Sequence, residues 1–345
     1  MDALDILRGL LALAVACYHF TVWYPVFRPA GFLATAAAKA GNYGVEGFFI
    51  ISGFCFFFIY GQDSFRGRGL RDFHLRRFLR IAPLYYLVVL LGLALGVASG
   101  PPPTPRFLLE NATLTFGLFH PNHSLVLGGW SIGIEYVFYL LFPLLAWASG
   151  KFKPFLPLAA LALVLLSIPW TLHYVPEAPF DQDRKFHAYV QLANHGFLFL
   201  LGGLLARARA RCDRRLTGPA FLALVAVLGW LFCHHVRGFY DHFEALVGTQ
   251  RYVLLALCLA LVAAFAFAEL PRSPLRRAGI YLGEISYSVY LLHPFAQAAL
   301  RRFAPDNLAP GSAMATGLVL TLAMASLTYR LVERPAMGLA RRWTA

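Results

Sequence analysis

Arg8, His19, Glu46, Arg77, Arg80, Glu135 and His293 have acid–base or anion-binding side chains, yet they sit in or against strongly apolar runs. The stretch "RGLLALAVACYHF" (8–20) sets the first pair. Arg8 and His19 are eleven residues apart. Eleven helical steps nearly complete three turns, so the two would share one face, roughly 16 Å apart along the axis. An ionisable group at such depth is costly in lipid and belongs in a protein interior or a wet cavity. "GVEGFFIISGF" (44–54) adds Glu46 and Ser52, "WSIGIEYVFYLLFPLL" (130–145) adds Trp130, Ser131 and Glu135, and "GEISYSVYLLHPF" (283–295) adds His293. Carboxylates beside imidazoles can hold a neutral ring as a base and stabilise it once protonated. In "LRRFLR" (75–80), Arg77 and Arg80 are three apart and can share a helix face. Guanidinium forks at a membrane mouth suit a phosphate-bearing ligand. The blander alternatives are positive-inside anchors for the arginines and a carbonyl-bonded core imidazole for His19.

The elements that must position these groups are membrane helices. Of 345 residues, 59% are hydrophobic and only 14% are charged, with a mean hydropathy of +0.61. A soluble protein of this size needs more polar surface. Runs long enough to cross a bilayer recur near 7–26, 44–61, 82–99, 131–149, 153–171, 188–206, 218–235, 252–269, 279–300 and 311–329. The expectation is an all-α polytopic membrane protein of about ten transmembrane helices, one domain over residues 1–345. In that register 21 of the 30 Lys and Arg fall on the side of the N-terminus, so the N- and C-termini are both expected to be cytoplasmic. The net charge of +13 is then mostly a topology signal. Membrane lipid is the expected surrounding and nucleic acid is excluded as a partner. Two aspartates in "MDALDILR" and a poor lipobox in "LAVAC" argue against a cleaved signal. No internal repeat or pair of interrupted helices of the inverted-repeat transporter kind is present.

Two external loops are expected, over 100–129 and 175–185. Within the first, "FLLENATLTFGLF" (107–119) is too short and too polar to span, so about 104–120 is expected as a re-entrant or interfacial segment. Its "NAT" (111–113) matches the glycosylation pattern only weakly. The five cysteines form no C-x-x-C pair and "CHH" (233–235) reads as a helix end, so no metal site is expected.

In order along nearly the whole chain, these motifs resemble the acyltransferase-3 family of bacterial integral-membrane O-acyltransferases. The resemblance rests on R-x10-H (Arg8 to His19), the acidic "GVEGFFIISGF", R-x-x-R in "RRFLRIAPLYY", "WSIGIEYVFYLLFPLL", and "ISYSVYLLHPF" followed by a last span ending in "ERPA". It implies a multi-pass protein of the bacterial inner (cytoplasmic) membrane that moves an acyl group, commonly acetyl, from cytoplasmic acyl-CoA (acetyl-CoA) to a hydroxyl. Acceptors in the family are typically sugars of surface polysaccharides, lipid-linked glycans or peptidoglycan, and sometimes small molecules such as macrolides. Carried over residue by residue, Arg8 and His19 match the family's functional pair and Arg77 and Arg80 its CoA-binding pair. Glu46 and Glu135 match acidic positions. Larger members carry an appended extracytoplasmic SGNH domain, and this chain is expected to lack one.

The expected mechanism has Arg77 and Arg80, with Arg8, holding the phosphates of acyl-CoA. His19 acts as general base on the acceptor hydroxyl, oriented by Glu46 or Glu135. Ser52, Trp130, Ser131 and His293 are candidate substrate contacts, the first three also as oxyanion donors. A route through an acyl-histidine stays open. The rival from another class is a proton-coupled transporter or glycan-export protein with the buried groups as a relay. The oligomeric state is open, a homo-oligomer included.

Overall fold

In lipid each backbone N–H and C=O must be satisfied within its own segment, so the apolar runs fold as helices. The computed structural model describes residues 1–27, 31–60, 62–65, 67–96, 104–174, 182–235, 244–305 and 307–344. Its helices are Asp2–Trp23 (α1), Phe32–Ile59 (α2), Gly69–Leu95 (α3), Pro105–Thr113 (α4), Phe116–Phe119 (α5), Trp130–Lys151 (α6), Phe155–Pro169 (α7), Gln182–Tyr189 (α8), Leu192–Ala210 (α9), Gly218–His234 (α10), Gly248–Ala266 (α11), Pro274–Glu284 (α12), Ser286–Phe303 (α13), Pro310–Thr328 (α14) and Arg334–Trp343 (α15). Among the described residues the only β pairing is an isolated bridge between Leu216 and Ala268.

Eight described segments are long and apolar enough to cross a membrane: α1, α2, α3, α6, 155–174, 185–210, α11 and 310–343. The other two expected spans correspond to α10, apolar but of seventeen residues, and to α13. The latter dilutes its apolar residues with Ser286, Ser288, His293 and Gln297, all turned into the bundle.

Several boundaries differ from the expected ones, for physical reasons. α2 begins twelve residues early, at Phe32, because "LATAAAKAGNYG" is rich in alanine, the best helix former. The charge of Lys39 is buried there by donation from Nζ to the carbonyls of Phe232, Cys233 and His235, at 2.7, 2.7 and 2.8 Å. Those carbonyls end α10, where intrahelical partners are missing. α3 begins at Gly69, thirteen residues before the expected span at 82, with Pro83 inside it; one missing N–H inside a long membrane helix is tolerated. The ninth expected span is split at Ile285 into α12 and α13. Ser286 Oγ donates to Gly283 O at 2.7 Å across the break.

Small residues let the helices nearest the site touch backbone to backbone. A Cβ on Gly53 of α2 would fall 1.9 Å from Phe199 O of α9, and one on Gly202 would fall 2.0 Å from Ile50 O.

The expected re-entrant segment is a chain of short turns packed into the bundle. Its hub is Asn111. The side-chain Oδ1 accepts from Tyr85 OH at 2.6 Å and from Leu125 N–H at 3.1 Å, and Nδ2 donates to Phe107 O and His123 O at 2.9 and 2.8 Å. Asn111 is thereby a buried structural amide. Of the expected loops, 100–103 and 175–181 lie outside the described residues.

Candidate active site

Five helices converge on a cavity of about 110 Å³. α1 supplies Arg8, α3 supplies Arg77, α6 supplies Ser131, Glu135 and Tyr139, and α13 supplies Ser286, Tyr287 and Tyr290. From α2 come Val45, Phe48, Phe49 and Ser52, at the i, i+3, i+4, i+7 spacing of one helical face. Part of the polar lining hydrogen-bonds to itself and part to residues just behind it. Glu135 Oε1 accepts from Ser52 Oγ at 3.1 Å and from Tyr139 OH at 2.6 Å. Tyr290 OH donates to Gly128 O at 2.8 Å and lies 2.8 Å from Ser131 Oγ. Arg77 donates to Tyr60 OH at 3.0 Å, and its guanidinium lies 4.9 Å from the centre of the Phe56 ring. Its buried Nε–H has no hydrogen-bond acceptor among the described residues.

The wall continues along α1 and α13 to a pair of histidines. Three residues beyond Tyr290, His293 places Nε2 3.1 Å from Nδ1 of His19, with the rings stacked at 4.8 Å. Trp23 stacks against both, at 5.5 and 5.7 Å. His19 Nδ1 is also 3.0 Å from Val15 O. A carbonyl only accepts, so the ring proton sits on Nδ1 and the lone pair of neutral His19 is on Nε2. Arg8 and His19 thus occupy one strip of α1, with the arginine in the cavity wall and the imidazole farther along.

Other sequence-identified residues stand apart from that strip. Arg80, one turn from Arg77, ion-pairs with Glu333, a residue only 1% exposed. Glu333 also accepts from Ser288 Oγ. Glu46 is bound by His195 Nδ1 at 3.0 Å, Tyr189 OH at 3.1 Å and Arg251 at 3.3 Å. Arg251 donates further to Asn194 O at 2.9 Å and Thr171 Oγ1 at 3.2 Å. This network is fully buried behind the cavity wall, where Phe49 and Trp130 pack on His195 with centroids 5.7 and 5.1 Å away. Trp130 also packs edge-on to Tyr189 and Phe186.

A family model described as an acyltransferase domain, that of acyltransferase-3, matches residues 1–330. The chain belongs to the acyltransferase-3 family. It is 28% identical over 211 residues to the peptidoglycan O-acetyltransferase OatA of Listeria monocytogenes, a match covering 54% of this chain and 31% of that protein. It is 25% identical over 372 aligned positions to the putative peptidoglycan O-acetyltransferase YrhL of Bacillus subtilis, covering 97% of this chain and 54% of that protein. The chain therefore spans about a third to a half of the length of these relatives. No solved structure matches.

This acyltransferase-3 chain also uses residues that the motif reading passed over. Glu333 lies inside the quoted "ERPA", and Tyr290 lies three residues before His293. His195 and Arg251 carry the same signal as His19, an ionisable group in an apolar run, but no motif drew attention to them. On the turns before α6, Glu110 accepts from Arg106 Nε at 2.8 Å and lies 3.1 and 3.2 Å from His120 Nδ1 and 3.9 Å from His123 Nδ1. Burial alone would raise the Glu110 carboxyl, and the bonds from Arg106 and His120 outweigh it and hold it below its ordinary value. Burial first, then the neighbouring His120, push the His123 imidazole down.

Proposed function

We propose that this acyltransferase-3 protein, in the bacterial inner membrane, transfers an acyl group, acetyl in the simplest case, from cytoplasmic acyl-CoA to a sugar hydroxyl of a cell-wall or surface glycan. The observation that carries the reading is the strip joining Arg8 and Arg77 in the cavity wall to the His19–His293 pair by way of Ser52–Glu135 and Ser131–Tyr290. The buried, unsatisfied Nε–H of Arg77 suits an anionic ligand such as a coenzyme A phosphate. Both matched relatives are named for peptidoglycan O-acetylation, which favours a glycan acceptor over a macrolide.

In the proposed reaction His19 Nε2 takes the proton of the acceptor hydroxyl as its oxygen bonds to the thioester carbonyl carbon. Collapse of the tetrahedral intermediate breaks the C–S bond, and the coenzyme A thiolate leaves with that proton. Val15 O accepts from His19 Nδ1–H and fixes the tautomer, and His293 packs its ring on that imidazole. The Ser131 hydroxyl, 2.8 Å from Tyr290 OH in the wall, is the proposed oxyanion donor. Arg8 and Arg77 bind the donor. Arg80, held by Glu333, orients the helix that carries Arg77, and Glu46 positions the Phe49–Trp130 wall.

The test is purified protein with labelled acetyl-CoA and either peptidoglycan fragments or lipid-linked glycan, following label in the glycan and release of free thiol. Transfer that requires both partners is the expected result. No thiol release with any acceptor, together with proton-driven glycan movement in vesicles, would put the transport reading in its place.

A further inference from the structure

We infer that Glu110, His120 and His123 form a binding site for a divalent transition-metal cation of the zinc type, separate from the proposed acyl-transfer site. The three donors come from two turns that the fold closes on each other: Glu110 from α4, and the histidines from the loop Pro121–His123 and the residue before it. Their ligating atoms all lie within 4.8 Å of one another. Tetrahedral zinc with nitrogen and oxygen ligands at about 2.0–2.1 Å needs donor atoms about 3.3 Å apart. His120 Nδ1 lies 3.1 and 3.2 Å from the two Glu110 oxygens and His123 Nδ1 lies 3.9 Å from one of them, on either side of that spacing, and the two imidazoles stack with centroids 4.5 Å apart. Two imidazoles and one carboxylate are also a donor set that zinc takes with a fourth position left over.

The surroundings have the form of a built site. Glu110 is 5% exposed, an unusual depth for a carboxylate on a loop-rich segment. Arg106 Nε donates to its Oε1 at 2.8 Å and leaves Oε2 between His120 Nδ1 at 3.2 Å and His123 Nδ1 at 3.9 Å. Outer-shell bonds of this kind orient a metal-binding carboxylate. Asn122 Nδ2 lies 3.3 Å from His187 Nε2 of α8, which brings a further imidazole alongside.

A cation here cross-links α4 to the turn at Pro121–His123. The same loop runs on through Ser124 and Leu125 to Gly128, whose carbonyl holds Tyr290 OH in the cavity wall. Metal occupancy therefore sets the rigidity of that wall, whatever reaction the cavity performs.

The experiment uses full-length protein purified without a histidine tag, stripped with chelator and titrated with Zn²⁺ and Co²⁺. Metal content and the visible Co²⁺ spectrum are the readouts. One tight equivalent with the absorption of four- or five-coordinate nitrogen/oxygen ligation is expected. His120→Ala/His123→Ala should lose it, and Arg106→Gln should weaken it by about 10–100-fold. His234→Ala, on α10, should bind like wild type. Wild type taking up no equivalent, or the double variant keeping it, overturns the proposal. Should the double variant not fold, His123→Gln replaces it, and undiminished binding there is equally decisive.

Discussion

Arg251→Met tests whether the network around Glu46 holds the fold behind the cavity wall. The guanidinium is fully buried and donates to Glu46 at 3.3 Å, Asn194 O at 2.9 Å and Thr171 at 3.2 Å. Its removal leaves a buried carboxylate with only His195 and Tyr189, and strips a donor from three further acceptors, Asn194 O, Asn194 Oδ1 and Thr171 Oγ1. Breaking one half of a buried pair costs about 3–5 kcal/mol. Because Glu46 keeps two donors, the lower end, about 3 kcal/mol, is expected. In Glu46→Gln/Arg251→Met no charge is stranded, so the double variant should be more stable than the sum of the singles by about 1–3 kcal/mol. The assay is denaturant unfolding in micelles, followed by tryptophan fluorescence. A single variant within about 1 kcal/mol of wild type, or strictly additive singles, refutes the reasoning.

Glu135→Gln should keep the fold but upset the bonds from Ser52 and Tyr139, lowering kcat/KM for acyl transfer by about five- to 150-fold, the equivalent of about 1–3 kcal/mol; unchanged kinetics would remove Glu135 from the site. Gly202→Val puts a Cβ 2.0 Å from Ile50 O, so α2 and α9 must separate; a stable variant with wild-type thermal unfolding would contradict that packing. Glu333→Gln should raise KM for the donor more than it lowers kcat, since it frees Arg80 without touching His19; a pure kcat effect would argue against the assigned division of roles.

Much of the fold was legible in the sequence because lipid imposes one demand, internal satisfaction of the backbone, and long apolar runs are its direct trace. Boundaries were less so. Lys39 fell between two expected spans, and the unpaired carbonyls of α10 that accept its charge lie nearly two hundred residues away, beyond any local signal. The third span was expected to start at 82, beside Pro83, because the tolerance of the bundle for one missing N–H has no local signature. In the site, the helical spacing of Arg8 and His19 was readable from local geometry. The partner of His19 was not: His293 meets it only through the packing of α1 on α13. For the same reason the sequence offered Glu46 to His19, whereas the fold gives it to His195 and Arg251. The R-x-x-R spacing placed Arg77 and Arg80 on one helix face, but a distant Glu333 decides that one lines the cavity and the other is held in an ion pair.

The most direct measurement is a pairwise comparison of His19→Ala and Arg77→Ala with wild type, reading acetyl-CoA binding and acetyl-dependent thiol release on the same purified samples. His19→Ala should bind the donor normally and lose turnover by about 10²–10⁴-fold, the contribution of a general base. Arg77→Ala should lose donor affinity while retaining turnover at saturation. If His19→Ala turns over like wild type, or both variants lose binding and turnover in equal measure, the separation of a donor-binding arginine end from a proton-transferring histidine end is wrong.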